Sequence, residues 1–96
     1  MLRTPPLPTD GELAILRVLW RRGPSTVRHV QEVLEHDRPT GYTTALKLLQ
    51  IMHEKGLVQR DESERTHVYR ARASELQTLR QLIRDLADRA FDGSTT

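Results

Sequence analysis

Apolar residues in the first half of the chain recur at helical spacing. Leu13, Leu16, Leu19 and Trp20 fall near a 3.6-residue period, with Ile15 and Val18 widening the stripe, which predicts a helix over residues 10–22. Its start is marked by Thr9-Asp10-Gly11-Glu12, a capping-box pattern: the Thr9 hydroxyl accepts from the Glu12 amide and the Glu12 carboxylate reaches back. Gly23-Pro24 ends it, Gly23 as a left-handed cap and Pro24 as a residue unable to continue the helix. Thr26 then caps a second helix, with Val27, Val30, Val33 and Leu34 on its inner side and an end near His36-Asp37. The turn Asp37-Arg38-Pro39-Thr40-Gly41 follows. Gly41 is the N-cap of a third helix from Tyr42 to about Lys55, whose inner positions are Ala45, Leu48, Leu49 and Met52. Gly56 closes it.

Beyond Gly56 the period changes. Two short β-prone runs, residues 57–61 and 67–71, flank the polar residues 62–66, predicting a two-stranded hairpin with a charged tip. Ser74-x-x-Gln77 is a second capping box. It opens a last helix in which Leu76, Leu79, Ile83, Leu86 and Ala90 advance by three, four, three and four residues, with Leu82 and Ala87 beside that seam and Gly93 at the end. The first eight residues hold three prolines and no periodicity, as expected of a mobile arm.

Helix, helix, helix, strand, strand is the order of a winged helix-turn-helix, in which the third helix enters the DNA major groove and the hairpin lies against the neighbouring backbone. The expected fold class is therefore mostly α with a small antiparallel β-hairpin, a winged helix-turn-helix followed by a C-terminal dimerisation helix. The expected organisation is a flexible arm over 1–8, the DNA-binding unit over 9–72, the dimerisation helix over 73–93 and a short tail over 94–96.

Opposite the inner face of the third helix lie Tyr42, Thr43, Leu46, Lys47 and Gln50. Thr43 and Gln50 can address base edges, Lys47 a guanine edge or a phosphate, and Leu46, read as pointing off the core, a thymine methyl. Tyr42 and Thr44, in the first turn, suit phosphate oxygens. No carboxylate stands between Gly41 and His53, which separates this face from an ordinary solvated one. Arg28 is a candidate backbone contact, and Arg3 could reach a groove from the arm. On the hairpin, Arg65 at the tip with Arg60, Arg70 and Arg72 can straddle phosphates, while Asp61, Glu62 and Glu64 oppose that; a purely structural hairpin is an equal reading of these residues.

Composition narrows the remaining classes. The chain has 96 residues, one domain's length, of which 36% are hydrophobic and four aromatic. It has no cysteine, which excludes disulfides, thiolate nucleophiles, iron–sulfur clusters and Cys-based zinc sites. No apolar run approaches the ~20 residues of a membrane span, and the start lacks a signal peptide's apolar stretch, so a soluble, cytoplasmic protein without membrane insertion is expected. The net charge of +2 permits nucleic acid without pointing to it. His29, His36, His53 and His67 show no i, i+4 metal pair, and His67 on the hairpin is a candidate DNA contact instead. Neither a Gly-rich phosphate loop nor a supported Ser/His/Asp set is present, so neither an enzyme nor a cofactor is expected.

The stretch from Leu13 to Trp20, then Gly23-Pro24, Tyr42-Thr43-Thr44, Glu54-Lys55-Gly56-Leu57-Val58 and His67-Val68-Tyr69 resembles, in order and spacing, the penicillinase-repressor (BlaI/MecI/CopY) family of bacterial winged-helix repressors, over residues 9–93. The resemblance implies a homodimer on a pseudo-palindromic operator that blocks transcription of β-lactamase, cell-wall or membrane-peptidase genes, often beside a membrane sensor peptidase. It places reading positions on Thr43, Thr44 and Lys47, and the wing on Arg65, Thr66 and His67. Family chains run on past Phe91-Asp92-Gly93-Ser94 into further helix that carries dimer contacts and the cleavage site; this sequence ends at Thr96, either as a short member or with that part removed. The copper-sensing branch, with its clustered cysteines, is not expected.

The seam of the last helix admits two arrangements, folding back on its own domain or meeting a second chain. Leu76, Leu79, Leu82, Ile83, Leu86, Ala90 and Phe91 present more apolar surface than one small domain covers, which favours the dimer. The rival to DNA reading is a winged helix that uses the Tyr42–Gln50 face to bind a protein.

Overall fold

A computed structural model of the chain describes residues 6–92. Four helices and three short strands follow in the order α1 (Asp10–Arg22), β1 (Ser25–Thr26), α2 (Val27–Glu35), α3 (Tyr42–Lys55), β2 (Val58–Asp61), β3 (Val68–Ala71) and α4 (Glu75–Asp92). This is a winged helix followed by a C-terminal helix.

Both capping boxes form. Thr9 Oγ1 accepts from the Glu12 amide at 3.2 Å and Glu12 Oε1 from the Thr9 amide at 2.9 Å; Ser74 and Gln77 repeat the arrangement at 3.1 and 2.8 Å. Gly56 ends α3 in the left-handed region, φ 83° and ψ 16°, as a Schellman-type stop demands. Gly23 corrects its expectation: φ is 82° but ψ is −171°, an extended positive-φ conformation essentially confined to glycine. The chain leaves α1 straight, which delivers Ser25 and Thr26 to the sheet.

That delivery alters the expected two-stranded hairpin. The sheet has three strands in the order β1-β3-β2. Ser25 pairs with Tyr69 and Thr26 with Val68, while Val58 pairs with Ala71 and Arg60 with Tyr69, all antiparallel. Thr26 has a second role, since its hydroxyl accepts from the His29 amide at 3.1 Å as the N-cap of α2.

The core lies between the three helices and the inner face of the sheet: Ile15, Leu16, Val18 and Leu19 from α1, Val27, Val30 and Leu34 from α2, Ala45, Leu49 and Met52 from α3, and Leu57, Val58 and Tyr69. Leu13 and Trp20 are half-buried at its margin, because the buried face of α1 centres on Ile15, Leu16 and Leu19, and Val33 of α2 and Leu48 of α3 are half-buried as well. Glu12 is buried with them. Its carboxylate takes both 2.9 Å hydrogen bonds from the Lys55 ammonium while also holding the Thr9 amide, so the start of α1 is pinned to the end of α3.

Of the expected arm, Leu7 and Pro8 are half-buried, and Pro6 and Pro8 wall a hollow beside Leu16, Leu57 and the start of α4; this much of it is packed. Arg3 and Gly93 lie outside the described residues. Helix α4 joins the rest through its first turns, where Thr78 is buried and Trp20 Nε1 donates to the Ala73 carbonyl at 3.0 Å. The seam does not fold back: Leu76, Leu79, Ile83, Leu86 and Phe91 are between 43% and 65% exposed, Ala90 is exposed, and Leu82 is half-buried.

Candidate nucleic-acid interface

Three core residues, Ala45, Leu49 and Met52, are fully buried and fix the rotation of α3. At about 100° per residue, the direction opposite them is occupied by Thr43, Lys47, Gln50 and, at the far end, Glu54. All four are exposed. Lys47 has no ion-pair partner among the described residues. The stripe is thus polar and free of acid for its first two turns, and it turns acidic at Glu54. Thr44 flanks it beside Ile51.

Ile51 is 37% exposed, and it is an apolar residue on the outer side that sequence reasoning missed. Leu46, expected off the core, is instead half-buried and packs against the core margin. The shift has a simple cause. The buried direction of α3 is set by Ala45 and Met52 more than by Leu48, which turns Leu46 toward the hairpin and Ile51 outward.

The entry to α3 is held from α2. Gln31 Nε2 donates to the Thr40 carbonyl at 3.0 Å, the Thr40 amide donates to Glu35 Oε1 at 2.9 Å, and Gln31 also donates to that carboxylate at 3.2 Å. Gly41 caps α3 with backbone alone and no side-chain hydrogen bond. Amides in the first turn are therefore left for solvent or for an anion.

Beside that turn, Arg28, Tyr42, Leu46, Arg65 and His67 meet around a hollow of about 480 Å³ between α3 and the hairpin tip, with Thr26 and Thr66 completing its rim. The Arg28 guanidinium carbon stands 5.9 Å from the centroid of the Tyr42 ring, within cation–π range and worth ~0.5–1 kcal/mol at an exposed site. Arg28 occupies the first turn of α2, where the helix dipole disfavours a cation. Its position is explained by what it faces across the hollow rather than by its own helix. Five of the nine expected contact residues share this hollow, and Thr43, Lys47 and Gln50 line the adjoining stripe.

Charge on the hairpin is arranged differently from expectation. Arg60 is half-buried and engaged, by the Tyr69 side chain first and then by Glu62 at 2.6 Å, and these partners raise its pKa further above its ordinary range. The same contact lowers the Glu62 carboxyl. Asp61 is lowered chiefly by accepting from the Ser63 amide, at 2.9 Å, in a turn at the hairpin tip. Two of the three acids that would oppose phosphate are thereby absorbed in the hairpin's own structure, as is Arg60. Arg65 and His67 remain exposed at the tip; Arg70, on the central strand β3, and Arg72, just after it, line a separate hollow with His53 and β2.

Among the described residues no group of three His, Asp or Glu side chains is placed to hold a metal, and no helix is long and apolar enough to cross a membrane.

The family model described as penicillinase repressor matches residues 8–96. The chain is also 41% identical, over 61 residues, to the transcriptional regulator BlaI of Mycobacterium tuberculosis, in both the CDC 1551 and H37Rv strains. That match covers 62% of this chain and 44% of the relative, so it spans less than half the relative's length. With the winged-helix fold beneath it, the chain belongs to the penicillinase repressor family.

Proposed function

We propose that this chain is a sequence-specific DNA-binding transcriptional repressor that acts as a homodimer on a pseudo-palindromic operator. Helix α3 enters the major groove with Thr43, Lys47 and Gln50 toward base edges and Ile51 toward thymine methyls. Tyr42, Thr44, Arg28, Arg65 and His67 meet the flanking sugar-phosphate backbone, and Leu46 closes the floor between them. The observation that carries this reading is the exposed, acid-free stripe of α3 continuing into a hollow edged by Arg28 and Arg65. Phosphate contacts of this kind set register, and base contacts set sequence. Glu54 ends the contact by repelling the backbone.

The units serving this are the reading domain over 9–72 and a dimerisation helix over 73–93, whose exposed seam is the second support for the reading. An isologous pair sets two α3 helices about one DNA turn, ~34 Å, apart. Family membership supports this reading's choice of β-lactamase, cell-wall or membrane-peptidase genes as the regulated class, a membrane sensor peptidase as upstream partner, and the cytoplasm, at the nucleoid, as the site of action. No catalysis or cofactor belongs to this scheme.

The test is fluorescence anisotropy against a duplex selected from a random pool, across a salt series. Affinity should fall with a log–log slope of about 0.9 per phosphate neutralised. Lys47→Ala and Thr43→Ala should each weaken the selected duplex by ~1–3 kcal/mol and random DNA by less. Affinity flat in salt, or variants that bind like the parent, would overturn the reading in favour of a protein-binding winged helix.

A further inference from the structure

The direction in which the seam of α4 meets its mate is a separate matter from its existence. We propose that α4 pairs in parallel and in register with α4 of a second copy of this chain, Glu75 of each copy lying against Arg80 of the other. The inference rests on the homodimer reading above and adds its polarity.

Seam position by position, Leu76, Ile83 and Ala90 fall at the a sites of a heptad and Leu79 and Leu86 at the d sites. Both d sites are leucine and the central a site, Ile83, is β-branched, the combination that favours two parallel strands, while Leu76 and Ala90 at the outer a sites are neutral on this point. The charges beside the seam agree. Glu75 occupies a g site and Arg80 the e site five residues on, which in a parallel pair face each other across the interface, once on each side of the dyad. Both are exposed, and neither has an ion-pair partner among the described residues of its own chain. The next such pair, Leu82 with Ala87, is apolar and half-buried already.

An antiparallel pair instead sets g against g and e against e. Glu75 then faces Arg89, which Asp85 of its own helix already holds at 2.9 Å, and Arg80 faces another Arg80 or Ala87. The parallel arrangement matches every flanking charge at the N-terminal half of the seam; the antiparallel one leaves Arg80 unmatched.

Space permits the parallel form. The turn of α4 that packs on the winged domain is centred on Thr78, roughly 120° around the helix from the seam, so two winged domains stand on opposite flanks of one stalk. Both α3 helices then lie toward the same end of the stalk.

Because the chain has no cysteine, single-cysteine variants report polarity directly. A disulfide requires Cα atoms within about 7 Å. Leu76→Cys alone and Leu86→Cys alone should each cross-link to a dimer on oxidation. If neither does alone but an equimolar mixture of the two does, the pair is antiparallel and the proposal is wrong while the dimer stands. If no combination cross-links yet sedimentation reports a dimer, another surface is used and the proposal is again wrong. A monomer in sedimentation at tens of micromolar removes the homodimer reading as well. As a second measurement, Glu75→Arg or Arg80→Glu should each raise the dimer dissociation constant roughly 2- to 30-fold, and the exchange of both should return it to within about threefold of the parent. A double variant as weak as either single one would refute the pairing.

Discussion

Replacing Lys55 by methionine tests the pin between the start of α1 and the end of α3. The Glu12 side chain is 3% exposed and Lys55 is 28% exposed. Lys55→Met keeps an aliphatic stem and removes the only cation among the described residues that reaches the Glu12 carboxylate. Among the described residues that carboxylate is left with the Thr9 amide as its sole partner. Stranding a buried charged acceptor costs about 3–5 kcal/mol where water is fully excluded. Here water can approach through the space the ammonium occupied, so a loss of ~2 kcal/mol is expected, toward the range for an unsatisfied buried group. For a chain this short that lowers Tm by about 8–16 °C. The assay is urea unfolding followed by circular dichroism at one fixed protein concentration, since any association adds concentration-dependent stability. Glu12→Met should cost a similar amount, because the helix cap goes with it. The double variant Glu12→Met with Lys55→Met should cost clearly less than the two together, since it leaves no buried charge behind. A loss below ~0.5 kcal/mol for Lys55→Met, or strict additivity in the cycle, would refute the pin.

Two further outcomes follow from the geometry of the site. Glu35→Ala combined with Gln31→Ala frees Thr40 and the start of α3. It should lower affinity for a selected duplex about 3- to 10-fold by misplacing the reading helix while changing stability by less than ~1 kcal/mol, and unchanged affinity in the anisotropy assay would remove Gln31 and Glu35 from any positioning role. The hairpin tip should loosen in acid before the core does. Asp61 and Glu62 both have folded-state pKa values lowered by their partners, so their contribution is complete above the ordinary carboxylate range near 4 and is lost as pH falls from there through the lowered values. The Ser63 amide resonance should move over that window while those of Leu49 and Met52 hold, and a Ser63 signal indifferent to acid would contradict the turn.

Elements with their own local punctuation were legible in the sequence. Helices α1 and α3 begin and end at the residues expected, because Thr9, Gly41 and Gly56 carry capping chemistry that needs no tertiary partner. Strand β1 was hidden for the opposite reason. Two residues after Pro24 have no period to detect, and they are extended because β3 offers them an unpaired edge. Glu12 reads in sequence as a surface cap, and only Lys55, 43 residues away, makes its burial tolerable. On α3 the outer stripe of Thr43, Lys47 and Gln50 was visible from spacing alone, but a small error in the buried direction exchanged Leu46 for Ile51. The heptad of α4 was equally plain. What spacing could not decide was whether it folded inward, which burial of Thr78 decides by turning the seam away from the winged domain.

Thr26 serves both as the partner of Val68 in the sheet and as the cap of α2. A slip of β3 by one residue would therefore unseat the beginning of α2, so the base of the wing is locked against drift. Residues 62–67, beyond the last paired position, are under no such constraint. Under the DNA-binding function proposed above, insertions or exchanges there retune how far the wing reaches along a duplex while the three-helix body stays as it is.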